Sequence, residues 1–358
     1  MSILSTFPTQ PSWFRRIYRG AHLWFALLAA VLSGCAATPQ SLAPAVEAGP
    51  IAAGVAAGVV AQNHRFVVLV AHRNDSLRTL AQRYLGDADK DWMIAEFNDI
   101  TRATPGQELV IPLIAVNPVG VHSDGYQTVP ILSYHRFGPK PGRMAVTPEA
   151  FAEQLAYLAR NDYRVIRLTD LIGFLEGKKP LPRRAVVLTI DDGYASTYQY
   201  AYPLLKKYRF PATAFVYSDF VTASDALNWD QMQEMVASGL IDIQPHSKTH
   251  ANLIVRFAGE SEEQYVARLD TEILTPLTFL RQRLQVPIIS FAYPYGDANK
   301  HVVERLAQAR YRLGVTVNPG GNPFFAYPLM LHRNMIFGED DLNAFKSKLH
   351  VYTKLRLR

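Results

Sequence analysis

From residue 129 onward, short apolar runs alternate with amphipathic stretches. Residues 129–135, 163–168, 185–190, 213–217, 240–243, 288–292, 313–317 and 330–336 have the length and the Val/Ile/aromatic content of strands. Between them the period lengthens: Phe151, Leu155 and Leu158 recur at helical spacing behind a Thr147-Pro148 helix start. Further helices are expected at 170–175, 196–208, 230–237, 262–284 (kinked at Pro276) and 301–309. Strands alternating with helices indicate an α/β domain. About seven strands and no GxGxxG phosphate loop favour a barrel over a dinucleotide fold.

The pattern before residue 129 is different. Phe66-Val67-Val68-Leu69-Val70 is strand-like, and Asn74-Asp75-Ser76 is a turn and helix cap. Leu77, Leu80, Ala81 and Tyr84 then follow at helical spacing, and Gly86-Asp87 ends that helix. A second short helix carries Trp92, Ile94, Ala95 and Phe97, and Pro105-Gly106-Gln107 turns into a strand at 108–112. The order is β-α-α-β within residues 65–114. Residues 115–128 read as a linker, and residues 35–64, rich in Ala, Gly and Pro with the single charge Glu47, as a tether of low order. Ahead of it, Arg15, Arg16 and Arg19 precede an apolar run at 21–32, the length of a signal-peptide core and short for a membrane span.

Charge changes little. The net +6 falls to +3 once the three arginines of residues 1–34 are set aside, too small to argue for nucleic acid. Lys178-Lys179 and residues 354–358 read as solvated faces. The single cysteine, Cys35, excludes a disulfide within the chain.

Three stretches carry candidate chemistry, each directly after a strand, where α/β sheets place their sites. Asp191-Asp192-Gly193 sets two repelling carboxylates side by side, either as a solvated turn or around a cation. His246 and His250 can reach one ion if the segment between them is helical or tightly looped. The residue after His246 is Ser247 rather than Glu, which excludes a zincin-type protease. Two histidines and one carboxylate leave positions open for water and substrate. In Phe291-Ala292-Tyr293-Pro294-Tyr295-Gly296-Asp297, Pro and Gly form either an ordinary turn or a rigid loop whose N–H groups make an oxyanion hole.

Three resemblances follow. Leu32-Ser33-Gly34-Cys35 behind a basic and apolar segment resembles a bacterial lipobox, which implies lipidation of Cys35 and a membrane anchor. Ala36 in place of Asp implies the outer membrane, on its periplasmic face. The run from Asn74-Asp75-Ser76-Leu77 through Gly86-Asp87, Trp92, Asn98 and Pro105-Gly106-Gln107 to Ile111-Pro112 resembles a LysM module. Such modules bind N-acetylglucosamine (GlcNAc)-containing glycans, and Asn74, Asp75, Ser76 and Leu77 would line the groove. Asn74 stands where the family often has Gly. The three strand-end stretches, in order and spacing, resemble the NodB-homology polysaccharide deacetylases over residues 129–349. The strand ending Ser133-Tyr134-His135 and the helix at Trp229 further resemble the branch acting on poly-N-acetylglucosamine.

That resemblance implies a distorted (β/α)7-type barrel over residues 129–358. It also implies metal-dependent hydrolysis of N-acetyl groups on peptidoglycan or poly-N-acetylglucosamine, usually with zinc. Asp192, His246 and His250 would hold the metal, Asp191 would be the general base, Tyr295 N–H would face the oxyanion, and His332 would protonate the departing amine. The arginine many members carry in the third motif is Ala292 here, which leaves open what orients Asp191. His135 is either a supporting residue at the strand end or a core or surface histidine. A catalytically inactive glycan-binding lipoprotein and a glycoside hydrolase are the competing readings. The second needs another strand-end acid facing Asp191 across a bond.

Overall fold

The computed structural model describes residues 58–355. The signal-like segment, Cys35 and most of the Ala/Gly/Pro-rich stretch lie outside the described residues.

The small N-terminal unit pairs Phe66–Val70 antiparallel with Glu108–Pro112. The helices Leu77–Leu85 and Asp91–Asn98 join them, giving the β-α-α-β order expected. Ser76 caps the first helix reciprocally with Thr79, and Gly86 at φ 70° ends it in the left-handed conformation. Leu69, Leu80, Ala81, Ile94, Leu109 and Ile111 form a small closed core. The Asn98 amide ties helix to sheet, donating to Ile94 and Val110 carbonyls and accepting from Val110 N. The tether boundary is corrected here. Val59–Gln62 is a third strand, antiparallel to Phe66–Val70. Asn63 closes that hairpin by accepting from the N–H of Arg65 and Phe66, so a turn residue outweighs the preceding glycines.

The larger domain is built on parallel strands in the order Ile241–Pro245, Ala212–Val216, Ala185–Ile190, Val129–Tyr134. All residues of Ala212–Val216, Ala185–Ile190 and Val129–Tyr134 are buried, as in a sheet covered on both faces, which is why they read as mostly apolar runs. Arg164–Ile166 pairs with Ala185–Ile190, and Asn334–Met335 with Val129–Tyr134.

The strands expected for a distorted barrel do not all join one hydrogen-bonded sheet. Ser290–Ala292 and Leu313–Val315 make a separate two-stranded sheet, and Val315 meets Leu331 through a single bridge. The gap beside Ile241–Pro245 is closed by a side chain. The buried Gln244 amide accepts from Ile289 and Ser290 N–H at 2.9 and 3.0 Å and donates to Pro287 O at 2.9 Å. The 115–128 linker is also corrected: Val121–His122 and Gly125–Gln127 form a hairpin that pairs with Tyr352–Lys354. Pro276 lies within one helix, Glu262–Leu284.

The small unit docks on the larger domain through Asp91–Arg164 at 3.0 Å and through Glu96, whose carboxylate accepts from Arg183 N at 2.8 Å. Arg164 begins its strand and Arg183 precedes Ala185–Ile190. The contact therefore lies at the N-terminal end of the sheet, and Asp191 emerges at the other end. Six residues of extended strand separate the two by ~20 Å.

Candidate active site

Asp191 leaves the end of its strand with its N–H donating to Tyr134 O. The chain then reverses through two left-handed residues, Asp192 at φ 75° and Gly193 at φ 76°. This lets neighbouring carboxylates face one site instead of opposite sides of a strand. Gly193 is required twice over, for its φ and because a Cβ there would lie 2.8 Å from Val216 Cγ1.

His246 follows Ile241–Pro245 and is buried, with Nδ1 at 2.8 Å from Ala292 O. A carbonyl only accepts, so Nδ1 carries the proton and Nε2 presents its lone pair to the site. His250 is delivered by a tight loop rather than a helix: Ser247 and His250 are left-handed, at φ 71° and 62°, and Ser247 Oγ accepts from His250 N. Asp192 Oδ1 lies 3.5 Å from His246 Nε2 and 3.3 Å from His250 Nε2. The ligand atoms of these three residues fall within 4.8 Å of one another. Asp192 Oδ1 is buried and receives no hydrogen bond. A buried acceptor without a donor, facing imidazole nitrogens, fits a divalent cation bound by N and O donors. Burial opposes the charge on Asp192, and His250 and His246 together hold its pKa below the ordinary value; burial pushes the His246 pKa down, towards the neutral ring that a metal ligand needs.

Asp191 is held differently, although its Oδ2 lies 3.9 Å from His246 Nε2. Its two oxygens accept from Arg333 Nη1 and Nη2 at 2.7 and 2.6 Å, a bidentate pair with both side chains buried. Arg333 is itself held by Thr316 O and Thr189 Oγ1. Burial alone would raise the Asp191 pKa; the Arg333 guanidinium and His246 override it and hold the carboxyl well below the usual carboxylate range. Arg333 thus takes the place of the motif arginine replaced by Ala292. Sequence reasoning missed it because the two partners lie 142 residues apart, although the residue stands in the Leu331-His332-Arg333 stretch already singled out.

The same stretch shows where His332 lies. Leu331 and Arg333 are buried, and the extended chain between them turns His332 outward. Its Nδ1 lies 3.1 Å from Pro319 O. The histidine brought to the cluster is His135, at the end of Val129–Tyr134, with Nε2 at 4.0 Å from Asp191 Oδ2. Burial lowers its pKa against the pull of Asp191 and Asp192.

Tyr295 is the middle residue of a short turn at Pro294–Gly296, left-handed at φ 61°. Its ring is 60% exposed and lies edge-on to His250 at 5.0 Å. The aromatic wall continues on the other side of His250 with Tyr217 at 5.3 Å, which stacks on Phe220 at 4.9 Å. Asn74, Asp75, Ser76 and Leu77 stay within the small unit. Asp75 is occupied by His72 N and Arg83, Ser76 caps its helix, and Leu77 joins the core.

The family model for polysaccharide deacetylases matches residues 178–314, which contain the Asp191-Asp192, His246/His250 and Tyr295 stretches. Residues 178–314 of the chain are therefore similar to a polysaccharide deacetylase domain. It is 27% identical over 211 residues to the poly-β-1,6-N-acetyl-D-glucosamine N-deacetylase of Escherichia coli (strain K12), covering 49% of this chain and 31% of that protein. The chain thus spans less than a third of that relative's length. Among solved structures, the Streptococcus pyogenes deacetylase PplD, in complex with acetate, superposes with a TM-score of 0.56 at 26% identity. That match covers 62% of this chain and 98% of PplD. IcaB from Ammonifex degensii matches with the same score and identity over 62% of this chain and 96% of its own. Arg333 lies beyond the residues that the family model matches.

Proposed function

We propose that the protein removes acetyl groups from GlcNAc units of a polysaccharide and releases acetate. The observation that carries this reading is the division of labour between adjacent carboxylates: Asp192 faces two imidazoles, and Asp191 is clamped by Arg333. A divalent cation held by Asp192, His246 and His250, zinc being the reading preferred here, would polarise the acetyl carbonyl and acidify the attacking water. Asp191, kept ionised by Arg333, accepts the proton of that water as it attacks. The Tyr295 N–H, on a turn fixed by Pro294 and Gly296, donates to the oxyanion that develops. His135 delivers a proton to the nitrogen as the C–N bond breaks, so that an amine leaves in place of an amide anion.

Acetate release, measured with peptidoglycan, chitin oligomers and poly-N-acetylglucosamine side by side, tests the activity and selects the polymer. Reducing ends without acetate would replace the reading by glycoside hydrolysis, and neither product on any polymer would leave an inactive scaffold. Chelation is expected to abolish acetate release and added zinc to restore it. Release that survives complete metal removal, checked by elemental analysis, would reject the cation's role. For the proton donor, His135→Gln is expected to lower kcat about a hundredfold or more. His332→Gln should stay within about twofold of wild type. The reverse ranking would reinstate His332.

The small unit, read as a LysM module, would hold a GlcNAc-containing glycan at the far end of the sheet. A lipid on Cys35 would tether the whole chain to the periplasmic face of an outer membrane. Pull-down on insoluble peptidoglycan and radiolabelled lipid incorporation with Cys35→Ala test the two separately.

A further inference from the structure

We infer that Glu272 is a positioning residue for the His246–His250 ligand loop, an inference that rests on the reading of that loop as half of a metal site. Glu272 lies in the middle of Glu262–Leu284, away from the three strand-end stretches, and its side chain is buried. Its carboxylate does not touch the cluster. It reaches into the loop between the two histidines and accepts three hydrogen bonds there. Oε2 receives Lys248 N at 3.0 Å and Thr249 N at 2.9 Å, and Oε1 receives Thr249 Oγ1 at 2.7 Å.

The loop needs such a clamp. It holds two non-glycine residues in the left-handed region, Ser247 and His250, a conformation that persists only when the surroundings over-determine it. Its other ties come from two sides. Ser218 and Asp219 N–H donate to the carbonyls of Ser247 and Lys248, and Ser247 Oγ accepts from His250 N. Those bonds satisfy the carbonyls and the last N–H. The N–H groups of Lys248 and Thr249, adjacent donors pointing one way, are taken up by Glu272 alone. His246 has a second anchor in Ala292 O; among the described residues the His250 ring meets Asp192, His246, Tyr217 and Tyr295, so its placement depends on the loop backbone. Glu272 thus fixes the distance between two Nε2 atoms that must meet one ion.

The test uses the full chain and reads metal binding directly. Zn2+ affinity is measured by competition with a chromophoric chelator, and ligand geometry by the visible spectrum of the Co2+-loaded protein. Glu272→Ala is expected to weaken Zn2+ binding by about 10–100-fold and to alter the Co2+ bands. Glu272→Gln, which keeps one acceptor oxygen, should recover part of the affinity. Thr249→Val removes one of the three bonds at an exposed position. It should cost about fivefold, and little more when combined with Glu272→Ala. Wild-type affinity and an unchanged Co2+ spectrum in a folded Glu272→Ala protein would overturn the inference. Should that variant not fold, the same result for both Glu272→Gln and Thr249→Val would overturn it. A wild-type protein that binds neither ion would overturn the metal-site reading itself, and the inference with it.

Discussion

Asp191→Asn is expected to lower kcat for acetate release by about 10²–10⁴-fold, the usual contribution of a general base, with Zn2+ affinity unchanged. The substitution preserves size and one acceptor oxygen, so Arg333 keeps a partner and the strand end keeps its shape. Asp192, His246 and His250 are untouched, and their ligand atoms lie within 4.8 Å of one another. Because the effect falls on proton transfer and not on binding, KM for a soluble GlcNAc oligomer should move little. An Asp191→Asn protein with full activity would show that the base lies elsewhere. One that loses its metal would show that Asp191 is a ligand and that the two carboxylates do not divide their roles.

Arg333→Met is expected to do the greatest damage to stability. The arginine and Asp191 are both buried, and removing one partner of such a pair leaves a charge with no solvent and no counter-ion. The cost is about 3–5 kcal/mol, read as a lower Tm or a lower denaturant midpoint at unchanged slope. The sign with pH follows from the direction of the shift. In the wild-type protein Arg333 and His246 depress the Asp191 pKa, so its contribution to stability is present above the unfolded carboxylate value and lost as pH falls through the folded one. Without Arg333, burial is left to raise that pKa, and the acid limb of the activity profile should move to higher pH. Arg333→Lys, a point charge without the fork, should fall between. An Arg333→Met protein of wild-type stability and unshifted acid limb would contradict the clamp.

Much of the site was legible in the sequence because its parts are local. A strand that breaks off in Asp-Asp-Gly, two histidines four residues apart and a Tyr-Pro-Tyr-Gly turn each declare a strand end within a few residues. The caps Ser76 and Thr147 were legible for the same reason. His332 was singled out by residue type, and its outward facing could not be read from the sequence. Its neighbour Arg333 occupies the inward position, and His135, which reaches Asp191, sits at the end of the first strand without a motif around it.

What the sequence by itself determined is the alternation of the main strands and helices, the chemical character of each strand end and the reversal at Gly193. All of these follow from hydrophobic period and backbone stereochemistry over a few residues. Only the tertiary structure decided which distant groups complete them. It put Arg333 on Asp191, Glu272 under the histidine loop, Gln244 across the gap that keeps the sheet from closing, and residues 121–127 against the C-terminal strand. These pairings join residues tens to hundreds of positions apart. A buried polar group takes whichever partner the packed chain brings within about 3 Å, and no spacing along the sequence encodes that distance.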